Sequence, residues 1–531
     1  MKRQIFWLVL ITAIAFVVRL YRVTSSPEGL YIDETSIGYN AYSLIETGKD
    51  EHGVSWPLFF EAFGEYKLPV YVYAVVLTQL LIGPTDLSVR LPAVLFGTFT
   101  IPFLYWWLKE LFTDEIGFTS RVLSLASPNA THKGTPAVGA PRLVPPVSVF
   151  VLVPLVGAFL IALSPWHFQF THAGFEASAG VFFLTVGLAL FYWSVHKGSQ
   201  FGLIVSLLSF VLSLYSYNSA RIVIPIVGLT LFIAYRKQFS FIKWGSALLI
   251  AGLVSLPFWQ FALSPQGLVR AQQVSILYEK TSVPIWKQFI SNYWKNIDPK
   301  TLFVYGEPTI AHLTPHRMSL LYLVELPFFI AGLLFLLKRK LTYAPLIILL
   351  LVGFAPPALT TLNPHALRAS LVIPATIAVS AMGFGWFVVT IKPRLKPIVV
   401  GGFVFLLSVS LLQFLTIYHG SYVKDAGWDW QVDIKRVADI VAKYQDQYDF
   451  VLFDQGGPAK VAYAWYLKMD PVIYQTVQDA DRMGKYVFNA SPELRFSKSL
   501  YISSQENVQG HLIETVTYPN NQPAQFVYEL N

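Results

Sequence analysis

Eleven stretches of this chain are apolar over nearly the length that crosses a lipid bilayer, and they restrict the fold more than any motif does. A spanning helix needs about 20 mostly apolar residues, because main-chain polar groups in hydrocarbon have no water to bond and must pair within the helix. The stretches lie near residues 5–20, 91–108, 147–165, 177–195, 201–217, 220–235, 241–261, 318–337, 343–360, 369–391 and 397–417. Only 13% of the 531 residues are charged, against about a quarter in a soluble domain. The expected fold is therefore an α-helical polytopic membrane protein with about eleven spans. There is no cysteine, so neither a disulfide framework nor a thiolate metal site is available. The first run lacks a small-residue cleavage pattern and is followed by further spans. It is read as a retained helix rather than a signal peptide.

Orientation turns on the 14-residue stretch 69–82, PVYVYAVVLTQLLI, which is too short to cross comfortably. If it lies along the interface, one side collects Lys2, Arg3, Lys109, Lys197, Arg236, Lys237, Lys243, Lys338, Arg339, Lys340, Lys392, Arg394 and Lys396. That basic side is cytoplasmic, which puts the N-terminus inside and the C-terminus outside. The net charge of +8 thus belongs to membrane edges rather than to a nucleic-acid surface. The outer side receives segment 21–90, the turn 164–176, residues 216–222, the loop 262–317 and residues 361–370. Residues 113–146 form a cytoplasmic linker, whose Pro-, Gly- and Ala-rich part, 119–146, suggests a flexible insertion.

After residue 418 the composition changes. The pattern in WQVDIKRVADIVAKY predicts an amphipathic helix, FVLFD and SLYISS predict strands, a further helix is expected near 458–468, and two strands should flank Asn520-Asn521. Residues 419–531 are expected to be a small α/β domain on the outer face, following a membrane domain of residues 1–418. No internal repeat is apparent, which disfavours transporter folds built from repeats.

The outer segment carries most of the candidate chemistry. In DETSIGYNAYSLIETG, apolar and polar residues alternate in a way that suits a helix lying on the membrane surface. Asp33 and Glu34 sit at its N-terminal end, where the helix dipole favours negative charge and where the alternative reading of Asp33 is a helix cap alone. Asp50, Glu51 and His52 read as solvated loop residues. In EAFGEYKLP, Glu65 and Lys67 flank Tyr66, and a lysine at the interface suits a lipid phosphate or simple snorkelling. Arg90, Arg221 and Arg368 each begin a span on the outer side, where a helix N-terminus disfavours a cation. A bound anion would account for all three, as would salt bridges to loop carboxylates. His167, His172 and Glu176 share the 164–176 turn, and His312, His316 and His365 are also outside. None has zinc-motif spacing, so hydrogen-bonded histidines are expected and no metal or other cofactor is assigned, a divalent ion being left open.

These segments resemble a known group. GLYIDETSIGYNAYSLIETGKDEHG, WPLFFEAFGEYKLPVYVY and SVRLPAVLFG are similar to the first outer loop of bacterial GT-C membrane glycosyltransferases, the branch with protein O-mannosyltransferases and the aminoarabinose transferase of lipid A. SPWHFQFTHAGFEAS, YSYNSARIVIPI and NPHALRASLVIPA also resemble segments of that group, so the likeness spans roughly residues 1–417. The resemblance implies a hexosyl or pentosyl transferase that takes a sugar from a polyprenyl-phosphate donor and gives it to a hydroxyl of an outer-face protein, lipid or glycan, with inversion. It implies Asp33 as general base with Glu34 as its partner. It also implies Lys67, Arg221, Arg368 and Arg90 as contacts to the donor phosphate, and Glu65, Tyr66, His167 and His365 as positioning residues. The competing readings are a transporter or lipid flippase, which would depend on Glu325 inside a span, and an oligosaccharyltransferase-type enzyme.

Overall fold

The computed structural model describes residues 2–126, 147–307, 318–338, 343–477, 480–491, 493 and 498–530. In chain order it begins with α1 (Lys2–Leu20), α2 (Ile32–Thr47), the strands β1 (Phe60–Ala62) and β2 (Glu65–Lys67), α3 (Pro69–Ile82) and α4 (Asp86–Ala126). There follow α5 (Val147–Leu163), α6 (Pro165–His172), α7 (Ala177–Lys197), α8 (Gln200–Leu214), α9 (Ala220–Tyr235) and α10 (Phe241–Ala262). Two short helices, α11 (Pro265–Val274) and α12 (Ile285–Ile297), precede α13 (Leu326–Lys338), α14 (Ala344–Val352), α15 (Ala355–Ala358), α16 (Ile373–Thr390) and α17 (Lys396–Tyr418).

Every apolar stretch singled out in the sequence is largely helical, and the chain is a multi-pass membrane protein. Among the described residues, six helices are long and apolar enough to cross a bilayer, or seven if α5 and α6, bent by 54° at their junction, form one broken span. The rest fall short for local reasons. Residues 343–360 divide at Gly353 into α14 and α15, and the stretch 318–337 opens with a loop and a single tight turn, Leu323–Glu325, before α13. Glu325 closes that turn as its cap, its Oε1 accepting the Tyr322 N–H at 3.2 Å.

Beyond α17 the chain forms α18 (Ser421–Asp425), α19 (Val432–Tyr444), β3 (Phe450–Phe453), α20 (Pro458–Tyr466), α21 (Pro471–Val477), β4 (Arg482–Met483), β5 (Tyr486–Val487), β6 (Ser499–Ser503), β7 (His511–Thr517) and β8 (Pro523–Leu530). The sheet order is β4-β5-β3-β6-β8-β7. Strand β3 pairs in parallel with β5 and β6, which requires the crossover that α20 and α21 supply.

This α/β unit covers α2, which corrects the expectation of a helix lying on a membrane surface. Residues 34–41 of α2 are all buried, and one apolar cluster runs from Ile37, Tyr39 and Leu44 through α3 to Val461 and Trp465 of α20. Small and polar residues in α2 are thus contact residues, not a solvated face. Asp50 and Glu51 are likewise buried, at 1% and 5% exposure, rather than solvated. Glu51 Oε1 accepts from Asn40 Nδ2 at 2.7 Å and Ser36 Oγ at 3.3 Å, while its N–H donates to Asn40 Oδ1 at 3.0 Å. Gln475 of α21 closes the arrangement, donating to Ser43 Oγ, Thr47 Oγ1 and the Asp50 carbonyl, each at 3.0 Å.

Burial pushes the Glu51 carboxyl up to about 7, against the opposing pull of His52 and Asn40. A carboxyl raised in the fold contributes stability below its ordinary pKa of 4.5 and loses that contribution as pH rises through about 7. The span corresponds to on the order of 3 kcal/mol. Glu51→Gln keeps an acceptor for Asn40 and is expected to flatten the fall in thermal midpoint between pH 4.5 and 7, leaving the variant the more stable at pH 8. Unfolding curves of the two proteins in nanodiscs over that range provide the measurement, and parallel curves would refute it.

Candidate active site

The site begins at a two-residue turn. Phe63 and Gly64 both have positive φ, 55° and 72°, the geometry of the hairpin turn whose twist matches its strands. That turn sets Ala62 opposite Glu65 and Phe60 opposite Lys67. Glu65 and Lys67, two apart on β2, therefore share a face. Across from them stands the first turn of α2, where Asp33 and Glu34 project about 100° apart, as adjacent helical residues do.

The two carboxylates consequently meet different surroundings. Glu34 is enclosed. Arg90 of α4 grips it with both arms, Nε to Oε1 at 2.8 Å and Nη2 to Oε2 at 3.0 Å. The Gly174 N–H donates to Oε1 at 2.7 Å, and the Tyr31 N–H to Oε2 at 2.9 Å. A side chain at Gly174 would meet Glu34 Oε1 at 2.8 Å, so only glycine permits this approach. The remaining Arg90 donors go to the carbonyls of Val23, Pro27 and Gly29. Asp33 is not the cap of α2, a position held by Tyr31. It turns instead to Lys67, whose ammonium donates to Oδ1, and its side chain remains 40% exposed.

Around Asp33 lies a cavity of about 420 Å³, lined from all five segments that the charge pattern assigned to one side of the membrane. Segment 21–90 contributes Asp33, Glu65 and Lys67, the 164–176 turn contributes Glu176, and residues 217–222 contribute Tyr217, Asn218 and Arg221. Arg270 of α11 and the stretch from Leu359 to Arg368 close the far wall. Glu65 accepts both arms of Arg270. Burial lowers the Lys67 ammonium, but Asp33, Glu176 and Glu65 more than reverse this and hold it above the ordinary lysine range. Burial also raises the Glu176 carboxyl, with Lys67 and Arg270 opposing and Asp33 and Glu65 reinforcing.

Two guanidinium groups in this cavity have donors to spare. Arg221 donates Nη1 to the Gly267 carbonyl at 3.0 Å, but its buried Nε has no hydrogen-bond partner. Arg368 has a buried Nη1 in the same condition, and burial lowers its guanidinium below the ordinary range. Neither forms a salt bridge with a carboxylate among the described residues, and both stand at the start of a helical segment. An unpaired buried donor costs about 1–3 kcal/mol, and an anion between the two would remove that cost.

Of the residues singled out from the sequence, Asp33, Glu34, Glu65, Tyr66, Lys67, Arg221, His365 and Arg368 line the cavity. Arg90 and His167 do not. Arg90 is consumed by Glu34 and three carbonyls, as described above. His167 lies beneath, with Nδ1 3.0 Å from Arg19 Nη2. His172 has its ring nitrogens at 2.7 and 2.8 Å from the carbonyls of Arg19 and Ser26. His312 and His316 lie outside the described residues. Among those described, no three His, Asp or Glu side chains are arranged to hold a metal ion. Arg270 went unnoticed in the sequence, and Glu176 was weighed only as a metal ligand. Arg270 had one signal, the serine-proline start SPQGLVRAQQ, where Ser264 caps α11 by accepting the Gly267 N–H at 3.2 Å.

No protein-family model and no curated protein matches the chain in sequence. Solved structures do match in shape. ArnT from Cupriavidus metallidurans in the apo state aligns over 98% of this chain and 97% of its own, with a TM-score of 0.55 at 10% identity. ArnT bound to undecaprenyl phosphate aligns with a TM-score of 0.53 at 10% identity, over 98% of both chains. The oligosaccharyltransferase AglB from Archaeoglobus fulgidus, in complex with an inhibitory peptide and a dolichol-phosphate, gives 0.52 at 11% identity over 87% of this chain. This chain spans 63% of that protein's length. The architecture is thus a GT-C-type fold with a C-terminal sheet domain.

The neighbouring acids should separate cleanly on mutation. Glu34→Ala strands the Arg90 guanidinium without a counter-charge and is expected to cost about 3–5 kcal/mol, seen as a lowered unfolding midpoint and reduced recovery of folded protein. Asp33→Asn, which keeps an acceptor oxygen for the buried Lys67 ammonium, is expected to cost only about 1 kcal/mol of stability. Equal loss in both variants would contradict the division of roles.

Proposed function

We propose that the chain is a glycosyltransferase that moves a sugar from a polyprenyl-phosphate donor to a hydroxyl acceptor at the outer face of a bacterial plasma membrane. The observation that carries this reading is one cavity lined by both Asp33 and the unsatisfied guanidinium donors of Arg221 and Arg368. The bound undecaprenyl phosphate of ArnT and dolichol-phosphate of AglB support a lipid-phosphate ligand for a fold of this shape. In this reading the N-terminus is cytoplasmic, residues 1–418 form the catalytic membrane domain, and residues 419–531 lie outside.

The acceptor oxygen attacks the anomeric carbon from the face opposite the phosphate, so the C–O bond to the acceptor forms as the C–O bond to phosphate breaks, inverting the centre. Asp33 takes the hydroxyl proton. The departing phosphate keeps the bonding electrons and gains a negative charge, which Arg221, Arg368 and Lys67 stabilise where it develops. Such a leaving group needs cations more than it needs a general acid. Lys67 holds the Asp33 carboxylate in place, Arg270 fixes Glu65, and Tyr66 and His365 complete the walls. Asp33, whose side chain is 40% exposed, then releases the proton to water. Glu34 acts at one remove, by fixing the turn of α2 from which Asp33 projects. Nothing favours the transporter reading, since Glu325, on which it depended, is engaged in capping its own turn.

Asp33→Asn is expected to reduce transfer by about 10²–10⁴-fold while the protein remains folded in the membrane. Arg221→Ala and Arg368→Ala should each reduce kcat/KM by about 10²-fold. Mass spectrometry of envelope glycoconjugates from cells carrying each form, together with undecaprenyl-phosphate binding to the purified proteins, measures both effects. Unchanged glycoconjugates with Asp33→Asn would remove Asp33 from the role of base. Solute uptake or lipid flipping that survives Asp33→Asn but is lost in Glu325→Gln would favour a transporter.

A further inference from the structure

A second cavity, of about 590 Å³, opens beside the first, between residues 31–32 and the C-terminal α/β unit. Its walls include Trp428, Asp429, Gln431, Asp433, Gln455 and Gly456, and Tyr31 lines both cavities. We propose that this cleft binds the saccharide portion of the acceptor, a neutral, hydroxyl-rich glycan whose reactive hydroxyl passes Tyr31 to reach Asp33. The inference rests on the transferase reading and adds the acceptor class.

The chemistry of the walls differs from that of the first cavity. No lysine or arginine lines the cleft, while two aspartates and two glutamines do. A phosphate or other anion would be repelled. A sugar ring instead offers an apolar C–H face and a rim of hydroxyls, each both donor and acceptor. Trp428, 73% exposed, supplies a broad apolar surface, and the Asp429 carboxylate and the amides of Gln431 and Gln455 supply hydrogen-bond partners for the rim, Asp433 being engaged by Gln525. Gln431 offers an acceptor into the same cleft. Its φ is +50°, a conformation uncommon outside glycine, and its buried Oε1 has no hydrogen-bond partner. An isolated tryptophan anchored in the lipid interface would explain its own exposure, but not the unpartnered amide oxygen of Gln431 and the acids beside it.

The cleft is also held open rather than loosely assembled. Lys435 donates to Asp86 Oδ2 at 2.7 Å, Arg436 Nη2 to Glu28 Oε2 at 2.8 Å, and the Leu30 N–H to the Tyr466 hydroxyl at 2.8 Å. These contacts fasten α19 and α20 to the outer loop on either side of Tyr31. Burial raises the Tyr31 hydroxyl, and both Asp33 and Asp429 push it further, so one phenol senses an acid from each cavity. A peptide acceptor is less well served, because the cleft includes no residue of the edge strands β4 and β7 to which an extended chain could add.

The test uses the full-length protein in nanodiscs with cellobiose, chitobiose and mannobiose, a serine- and threonine-rich peptide, and undecaprenyl phosphate. Saturation-transfer NMR and tryptophan fluorescence are expected to report saturable binding of at least one disaccharide. That binding should weaken at least about tenfold in Trp428→Ala and also weaken in Asp429→Asn, yet persist in Arg368→Ala. Undecaprenyl phosphate should show the reverse, binding to Trp428→Ala and losing affinity in Arg368→Ala. Absence of disaccharide binding, or binding indifferent to Trp428→Ala, overturns the inference while leaving the transferase reading intact if the lipid phosphate still binds. Binding of the peptide in place of every disaccharide overturns it in favour of a protein acceptor. Failure of both lipid phosphate and disaccharides overturns the transferase reading along with it.

Discussion

The buried pairing of Glu34 with Arg90 is the constraint on which the outer half of this protein is built. It joins four pieces that are distant in sequence: the loop after α1 through the carbonyls of Val23, Pro27 and Gly29, the start of α2, the turn at Gly174, and α4. A buried ion pair stabilises only when its remaining hydrogen-bonding capacity is filled. Here both arms of the fork meet both carboxylate oxygens, and main-chain groups satisfy much of the rest. The pair therefore acts as a geometric pin more than as a source of net stability. Once it is fixed, the direction of the neighbouring Asp33 is fixed as well, because one step along a helix turns a side chain by about 100°.

From that pin the division of charge in the cavity follows. Asp33 and Glu65 are balanced by Lys67 and Arg270, and Glu34 is withdrawn from the cavity's balance by Arg90. Burial pushes the Glu176 carboxyl toward its neutral form. What is left over is positive and belongs to Arg221 and Arg368. A site that holds paired acids together with unpaired guanidinium donors suits a ligand that carries a negative charge and also donates a proton. This combination, more than any single residue, supports the proposed transfer from a phosphate.

The apolar helices were legible in sequence because hydrocarbon imposes a simple length and composition rule. The sidedness of the loops was legible in a narrower sense: five segments grouped by basic-residue bias do line one cavity. The C-terminal pattern was readable too, since α19, β3, α20 and the pair β7–β8 obey the ordinary periodicities. What escaped was burial imposed from far along the chain. The alternation of small, polar and apolar residues in α2 is that of an interfacial helix until Trp465, more than 400 residues later, packs on it. Glu51 reads as a loop charge unless Asn40 and Ser36 are known to face it. Arg90 shows the limit most plainly. Its position at an outer helix start made it equivalent to Arg221 and Arg368 in sequence, and only the location of Glu34 separates a structural guanidinium from two available ones.

The two cavities put the polarity of the fold to use. In the proposed reading, a lipid-linked phosphate would reach the first cavity along the bilayer, with its charge among arginines, and a hydrophilic acceptor would arrive from the aqueous side. The α/β unit borders that route, so an acceptor would meet it before Asp33. Fastening the unit to segment 21–90 by Lys435–Asp86 and Arg436–Glu28 holds the second cavity in a fixed relation to Asp33. In the proposed reaction, positioning of this kind would lower the barrier by supplying orientation before the reaction begins. The α/β unit is then part of the wall around Asp33, and Tyr31 lines the cavities on both sides of that boundary.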